Sequence, residues 1–386
     1  MAQTEHRRLT YGMVGGGQGA FIGDVHRRAI ALEPNTELVA AVFSRDYENN
    51  LQTGRELLMD ESRLYRDYKE MAAQERGRED GIDFVVIVTP NVSHFEIAKT
   101  FLEAGIHVVC DKPLTTELGD AEELGRLVEK SGLLFGVTYT YTGYPIVKKA
   151  REMVRSGALG RIRFVNAEYP QEWLATRAES QEGNRQASWR TDPTQSGKSN
   201  CVGDIGTHVE NMVSYVTGLE IESLSARLDS FVEGRQLDDN ATIMVNYRGG
   251  TTGLYWSSQI AIGTDNGLRI RVFGEKGSIE FFQEDPNYLR VATLDAPVQI
   301  LSRGRDDIGE RGGSLVRIPA GHPEGYFEAF ANIYRTFTGA LRKTLAGEPL
   351  TDADRDFPGV EDGIQGVRFV TRVVESSQQK SAWVDF

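Results

Sequence analysis

Two rhythms of apolar and polar residues divide this chain, and one gives way to the other near Gly143. Before that point, short apolar runs alternate with segments whose apolar residues recur every three or four positions, as strands followed by amphipathic helices do. Residues 9–14 are the first run, and Val25, His26, Ala29, Ile30 and Leu32 carry the helical spacing after it. Residues 36–42 are the second run. Residues 47–80 predict helix and polar connection, with Leu57, Leu58, Leu64, Tyr65 and Met71 turned inward. Residues 82–88 are almost continuously apolar, which suits a strand buried on both faces of a parallel sheet. A helix over 92–104, a strand over 107–110, a helix over 116–130 and a strand over 135–139 continue the alternation. This order predicts a doubly wound parallel sheet over residues 1–143.

From residue 144 the pattern changes. After an amphipathic helix over 146–156, residues 162–169, 224–232, 241–247, 251–258, 268–274 and 278–282 alternate as half-buried strands do. Arg248-Gly249-Gly250 and Gly274-Glu275-Lys276-Gly277 read as hairpin connections. Helices are expected over 321–342 and 359–376. The fold class is therefore α/β joined to α+β, with residues 144–386 forming a large open, mostly antiparallel sheet covered by helices on one face.

Composition narrows the classes. A length of 386 residues, 40% hydrophobic and 26% charged, fits two soluble domains, and no apolar run approaches the ~20 residues that cross a bilayer. A net charge of −13 disfavours a phosphate backbone, so no nucleic-acid partner is expected. Cys110 and Cys201 lie far apart with no metal-ligand spacing, which predicts reduced thiols and no metal site. Residues 1–13 lack an apolar leader, and the expected compartment is the cytoplasm.

Candidate chemistry begins in the loop Gly15-Gly16-Gly17-Gln18-Gly19-Ala20-Phe21-Ile22-Gly23, between the first strand and its helix. A dinucleotide loop needs one glycine for a tight turn, one to leave room for the pyrophosphate and a small residue for close helix packing. Gly15 and Gly17 fill the first two roles, and either Ala20 or Gly23 fills the third. Gln18, Phe21 and Ile22 complete the cradle, at a helix N-terminus whose free N–H groups favour phosphate. This reads as a Rossmann fingerprint with NAD or NADP as the expected cofactor; the alternative is a glycine-rich surface loop with no ligand. The ribose-reading position falls at Ser44 and Arg45, with Asp46 one step late, which leans toward NADP. The alternative is that Arg45 stacks on adenine or lies in water while Asp46 or a water serves the ribose. Thr89, Pro90, Asn91, His94, Asp111 and Lys112 follow later strands, at the sheet edge where ligands bind.

In the second part, Gly203-Asp204-Ile205-Gly206-Thr207-His208 opens a helix that stops near Gly218. The four-residue spacing puts Asp204 and His208 on one face. Taken alone, Asp204 is an ordinary N-cap and His208 an ordinary half-buried histidine; a helix N-terminus disfavours its protonated ring while a nearby carboxylate favours it, and the sequence leaves that balance open. With Lys112 and a nicotinamide site, they complete a proton-handling group.

At these residues the sequence resembles the Gfo/Idh/MocA family, the glucose–fructose oxidoreductase and inositol dehydrogenase-like enzymes, over essentially its whole length. The glycine loop with His26, Thr89-Pro90-Asn91 with His94, Cys110-Asp111-Lys112-Pro113 and the Gly203–His208 hexad stand in the family's order. The resemblance implies a catalytic lysine, aspartate and histidine, here Lys112, Asp204 and His208, and a homodimer or homotetramer built through the open sheet. Two departures stand out: the family's E-K-P reads Asp111-Lys112-Pro113, and a frequent arginine is replaced within Tyr141-Thr142-Gly143-Tyr144.

Tyr141, Gln171, Trp173, Trp189 and Arg190, with Lys112, Asp204 and His208, are the candidate substrate residues. The segments 168–173 and 188–192 resemble those lining the sugar pocket of levoglucosan and glucoside dehydrogenase-like members. Aromatic rings pack on a pyranose while amides, arginine and carboxylates answer its hydroxyls; as core or interface aromatics, Trp173 and Trp189 would need no ligand. His322 and Glu324 are candidates for a pocket rim. The expected activity is NAD(P)-dependent interconversion of a secondary alcohol and a ketone on a sugar, glycoside or cyclitol. His208 is the favoured acid/base and Lys112 the alternative. Two other functions stay open: a glycosidase working through transient oxidation on NAD, and a cofactor-binding regulator without turnover.

Overall fold

The five apolar runs before residue 140 are the strands β1 Leu9–Gly15, β2 Thr36–Val42, β3 Phe84–Val88, β4 His107–Cys110 and β5 Phe135–Val137. They pair in parallel in the order β2-β1-β3-β4-β5. The chain winds outward from β1 to β2, then from β3 to β5 in the other direction, so the strand order reverses between β1 and β3. All five residues of β3 are buried, as its unbroken apolar run requires. The computed structural model describes residues 7–181, 183–305 and 308–386.

Sequence reasoning places one boundary near residue 143 and assigns everything after it to the second domain. The structure instead forms two units, one of residues up to Thr140 with Phe330–Ile364, the other of Tyr141–Ala329 with Gln365–Phe386. The return has a physical cause in the helix Tyr326–Ala346. Phe330, Tyr334 and Phe337 form one stripe on it, and they pack on His26 and Phe84 with ring centroids 4.9, 5.9 and 5.5 Å apart. Farther on, Pro358 accepts from the Val137 amide.

The second unit holds a nine-stranded sheet in the order β13-β12-β11-β10-β6-β9-β8-β7-β14. Its strands are β6 Ile162–Pro170, β7 Ile221–Asp229, β8 Asn240–Tyr247, β9 Thr252–Ser258, β10 Arg269–Gly274, β11 Gly277–Phe282, β12 Tyr288–Thr293, β13 Gln299–Ser302 and β14 Val384–Asp385. Every pairing is antiparallel except β6 with β9. One face is dry: Val165, Ala167, Ile243, Val245, Ile270 and Val272 pack against Ile146, Val147, Val209, Met212, Val213 and Phe369 of the covering helices. On the other face Phe164, Met244, Phe273 and Phe282 stay 37–48% exposed. The expected strands stop at Phe282, and the sheet runs on through β12 and β13.

The expected helix at 321–342 begins later, at Tyr326. Glu324, expected at a pocket rim, is buried against Arg303 at 2.8 Å and accepts from the amides of Arg317 and Ile318, which holds residues 321–325 as a turn. His322 is exposed, and its carbonyl accepts from Arg303. Among the described residues no helix is long and apolar enough to cross a membrane, and no cluster of His, Cys, Asp or Glu could hold a metal ion.

Candidate active site

In the first unit the site is built at the point where the strand order reverses. Gly15 ends β1 at φ +90°, and a Cβ there would lie 2.6 Å from the Val88 carbonyl of β3. A Cβ on Gly17 would meet Asn49 Oδ1 at 2.4 Å and Phe43 O at 3.0 Å. The third role, open between two residues in the sequence, belongs to Gly23: its Cβ would sit 2.3 Å from the Gly16 Cα, so the helix Phe21–Ala31 touches the loop only because both are glycine. Ala20 is the N-cap and makes no side-chain cap, which leaves the first-turn N–H groups without an intrahelical or side-chain cap partner. Cβ-free walls and an uncapped helix start fit a pyrophosphate. Gln18 is tied by its backbone to Thr53 and by its side chain to Glu56, Phe21 stands 62% exposed beside the loop, and Ile22 is half-buried.

At the tip of β2, Ser44 is half-buried and Arg45 exposed. Asp46 caps the helix Tyr47–Glu56, accepting from Glu48 N at 3.1 Å, and its own N–H donates to Ser44 Oγ. After β3, Thr89, Pro90 and Asn91 form a turn in which Ser93 Oγ donates to Thr89 Oγ1 at 2.8 Å. His94, expected to face the cofactor, is 1% exposed, and both ring nitrogens face backbone carbonyls: Nδ1 is 2.9 Å from Pro113 O and Nε2 2.8 Å from Thr89 O. It fastens the tip of β3 to the turn after Lys112. Asp111 fixes the same turn, accepting from Lys112 N at 2.9 Å and Thr138 Oγ1 at 2.7 Å. Lys112 is half-buried, and the Lys112–Pro113 bond is cis.

In the second unit Asp204 is not an N-cap. The helix opens at Cys201 with a π-helical turn, Val202–Gly206, before the α-helix Thr207–Thr217, and such turns often mark functional sites. Its N-terminal amides are served from elsewhere: buried Asp238 accepts from Asn200 N at 3.0 Å and Val202 N at 3.1 Å, with Ser199 Oγ beside it. Burial pushes the Asp238 carboxyl up, and its hydrogen bonds oppose that. Asp204, relieved of capping, lies 3.3 Å from Arg190 Nε and accepts at 2.9 Å from Gln259 Nε2. His208 sits inside the helix rather than at its start, so the dipole argument for a neutral ring does not apply. Its ring meets the Tyr141 ring edge-on at 4.7 Å.

The candidate sugar residues differ in what they touch within the protein. Arg190 stacks on Trp189 at 4.3 Å and lies 5.8 Å from the Trp173 ring, both half-buried. Gln171 spends its amide on protein partners: Oε1 accepts from Trp173 Nε1 at 3.0 Å, and Nε2 donates to Asn266 at 2.7 Å. Tyr141 is buried with its hydroxyl 2.5 Å from that of Tyr169, which donates to Asn266 at 2.6 Å. Burial raises both phenols above the ordinary range. Gln259, Asn266, Asn200 and Asp238 were not foreseen; each lies at a strand end or in a polar loop, where the sequence carries no periodic signal. The Cys110 and Cys201 thiols are free, buried and pushed up by burial, which makes them poor nucleophiles.

A dinucleotide cradle in one unit, and in the other a sheet-and-helix arrangement carrying His208 and an Asp204 that is ion-paired with Arg190, define a class. Family models match both parts, "Oxidoreductase family, NAD-binding Rossmann fold" over residues 9–139 and "GFO/IDH/MocA C-terminal domain" over 147–280. The chain belongs to the Gfo/Idh/MocA family of oxidoreductases and is an NAD-binding, dehydrogenase-type enzyme. It is 37% identical over 383 residues to the uncharacterized oxidoreductase YfiI of Bacillus subtilis, covering 98% of this chain and 97% of that one. It is 26% identical to levoglucosan dehydrogenase of Pseudarthrobacter phenanthrenivorans, covering 98% of each. The crystal structure of an inositol dehydrogenase homolog from Azotobacter vinelandii complexed with NAD+ superposes with a TM-score of 0.94 at 37% identity, covering 99% of this chain and 98% of that one. With NADH and myo-inositol bound, that homolog superposes at 0.91.

Proposed function

We propose that this protein interconverts a secondary alcohol and its ketone on a cyclic polyol, either a cyclitol or a sugar. The observation that carries the proposal is Asp204, drawn out of capping by the π-turn and held by Arg190 and Gln259, four residues before His208. Nicotinamide, when bound, exchanges hydride with the substrate carbon. His208 takes the hydroxyl proton in oxidation and returns it in reduction. Lys112 stabilises negative charge developing on the substrate oxygen, and Asp204 orients the substrate or the imidazole. The Arg190–Trp189–Trp173 stack receives the ring, its indole faces meeting C–H groups and its guanidinium a hydroxyl.

Because Asp46 is engaged as a helix cap, the β2 tip offers Ser44 and Arg45 to the ribose, and the protein accepts NADP at least as readily as NAD. The exposed apolar face of the large sheet serves a homodimer or homotetramer. The test is a screen of myo-inositol, levoglucosan and methyl glucosides with NAD+ and NADP+, read at the reduced-nicotinamide band and paired with titration of both cofactors. The expected result is oxidation of a neutral cyclic polyol. Inertness toward every polyol by a protein that binds cofactor would refute the activity, and strong NAD preference would refute the reading of Ser44 and Arg45.

A further inference from the structure

We propose that Gln259 is a positioning residue that aims the Asp204 carboxylate; the inference rests on Asp204 acting in turnover. Gln259 follows the last residue of β9 and is wholly buried. Its main chain is pinned on both sides, donating to Asp239 O at 2.9 Å and accepting from Leu174 N at 3.0 Å. Its side-chain Oε1 accepts from Asn200 Nδ2 at 2.8 Å while Nε2 donates to Asp204 Oδ2 at 2.9 Å. The amide can point only one way. Asn200 presents N–H groups toward it, and its own orientation is set by the Asp238 carbonyl at 3.2 Å, so the oxygen of Gln259 must face Asn200 and its nitrogen Asp204.

A chain of bonds thus runs from Asp238, which caps the helix carrying Asp204 and His208, through Asn200 and Gln259 back to Asp204. It ties the carboxylate to the start of its own helix through a neutral group. A neutral donor orients Asp204 without adding charge to its ion pair with Arg190, which sits on a separate short helix. Among the described residues, the ionisable groups that feel the Asp204 charge include Cys201 on its own helix and the Tyr141 and Tyr169 phenols, and His208 follows it by four residues on that helix.

The test compares Gln259→Glu and Gln259→Met with wild type and Asp204→Asn, measuring kcat and kcat/KM against pH with the best polyol, NADH affinity and thermal melting. Gln259→Glu sets a second carboxyl against Asp204, and two carboxylates sharing a site cannot both ionise freely. The acid limb of kcat/KM is expected to move up by about one pH unit or more, while NADH affinity, set in the other unit, holds. Gln259→Met keeps the length but not the bonds; kcat is expected to fall about tenfold or more with KM for NAD(H) unchanged, as for loss of a fixed orientation. Either variant with a native melt carries the test. A Gln259→Glu profile superposing on wild type, or an undiminished kcat in Gln259→Met, overturns the positioning role while an inactive Asp204→Asn leaves the role of Asp204 standing. Full turnover by Asp204→Asn removes both.

Discussion

Replacing Gly23 with alanine tests how the nucleotide loop is built. The added methyl would stand 2.3 Å from the Gly16 Cα, 3.0 Å from its oxygen and 3.1 Å from its carbonyl carbon. All three are backbone atoms, so no flexible side chain can yield, and relief requires the helix and the loop to part by roughly 1 Å, since ordinary contacts begin near ~3.4 Å. Overpacking of this kind costs about 1–3 kcal/mol. Alanine returns up to about 1 kcal/mol through its better helix propensity, so the strain wins except at the bottom of that range. The strain falls on the peptide that faces the pyrophosphate. Losing about 1.4–2.8 kcal/mol there raises the NADH dissociation constant about 10- to 100-fold. Whatever strain is borne by the fold instead lowers the melting temperature by about 2–4 °C per kcal/mol. Ala20→Gly is the control: Ala20 makes no side-chain cap, and glycine there changes affinity by no more than about twofold. Calorimetric titration with NADH, with a thermal melt of each variant, measures both terms. Native affinity and melting in Gly23→Ala, or an equal loss in Ala20→Gly, would return the third glycine's role to Ala20.

Lys112→Met should lower turnover about 100-fold or more at unchanged NADH affinity, because its charge matters where negative charge develops on oxygen; single-turnover kinetics with near-native rates would contradict this. Acid should destabilise the fold before carboxylates titrate. Burial lowers His26 and His107 to about 4, from 6.5 when unfolded. A depressed base binds its proton first in the unfolded chain, so their contribution is complete above about pH 6.5 and fades as pH falls toward 4. The limit is about 3 kcal/mol per histidine. Urea midpoints between pH 7.5 and 5 should fall, and His107→Gln should flatten that slope; midpoints independent of pH would refute the linkage.

The sequence by itself determined what is encoded within ten or twenty neighbouring residues. The change of period near residue 143 separates the parallel from the antiparallel sheet, because buried parallel strands are apolar throughout while half-buried ones alternate. The glycine loop, the turn carrying Lys112 and the four-residue spacing of Asp204 and His208 are local for the same reason. Tertiary structure decided whatever depends on partners distant in the chain. Gly23 rather than Ala20 packs on the loop because of where the helix lies, and Phe330, Tyr334 and Phe337 return to the first unit because their matching surface is His26 and Phe84. Strands β13 and β14, four and two residues long, are too short to show a period and exist because a neighbouring edge offers hydrogen bonds. The π-turn takes its cap from Asp238, 36 residues on from Val202, and Asp204 is held by Gln259, 55 residues away. A hydrogen bond across such a distance leaves no trace in local spacing: a glutamine at a strand end reads as an ordinary polar residue until the fold brings a carboxylate to it.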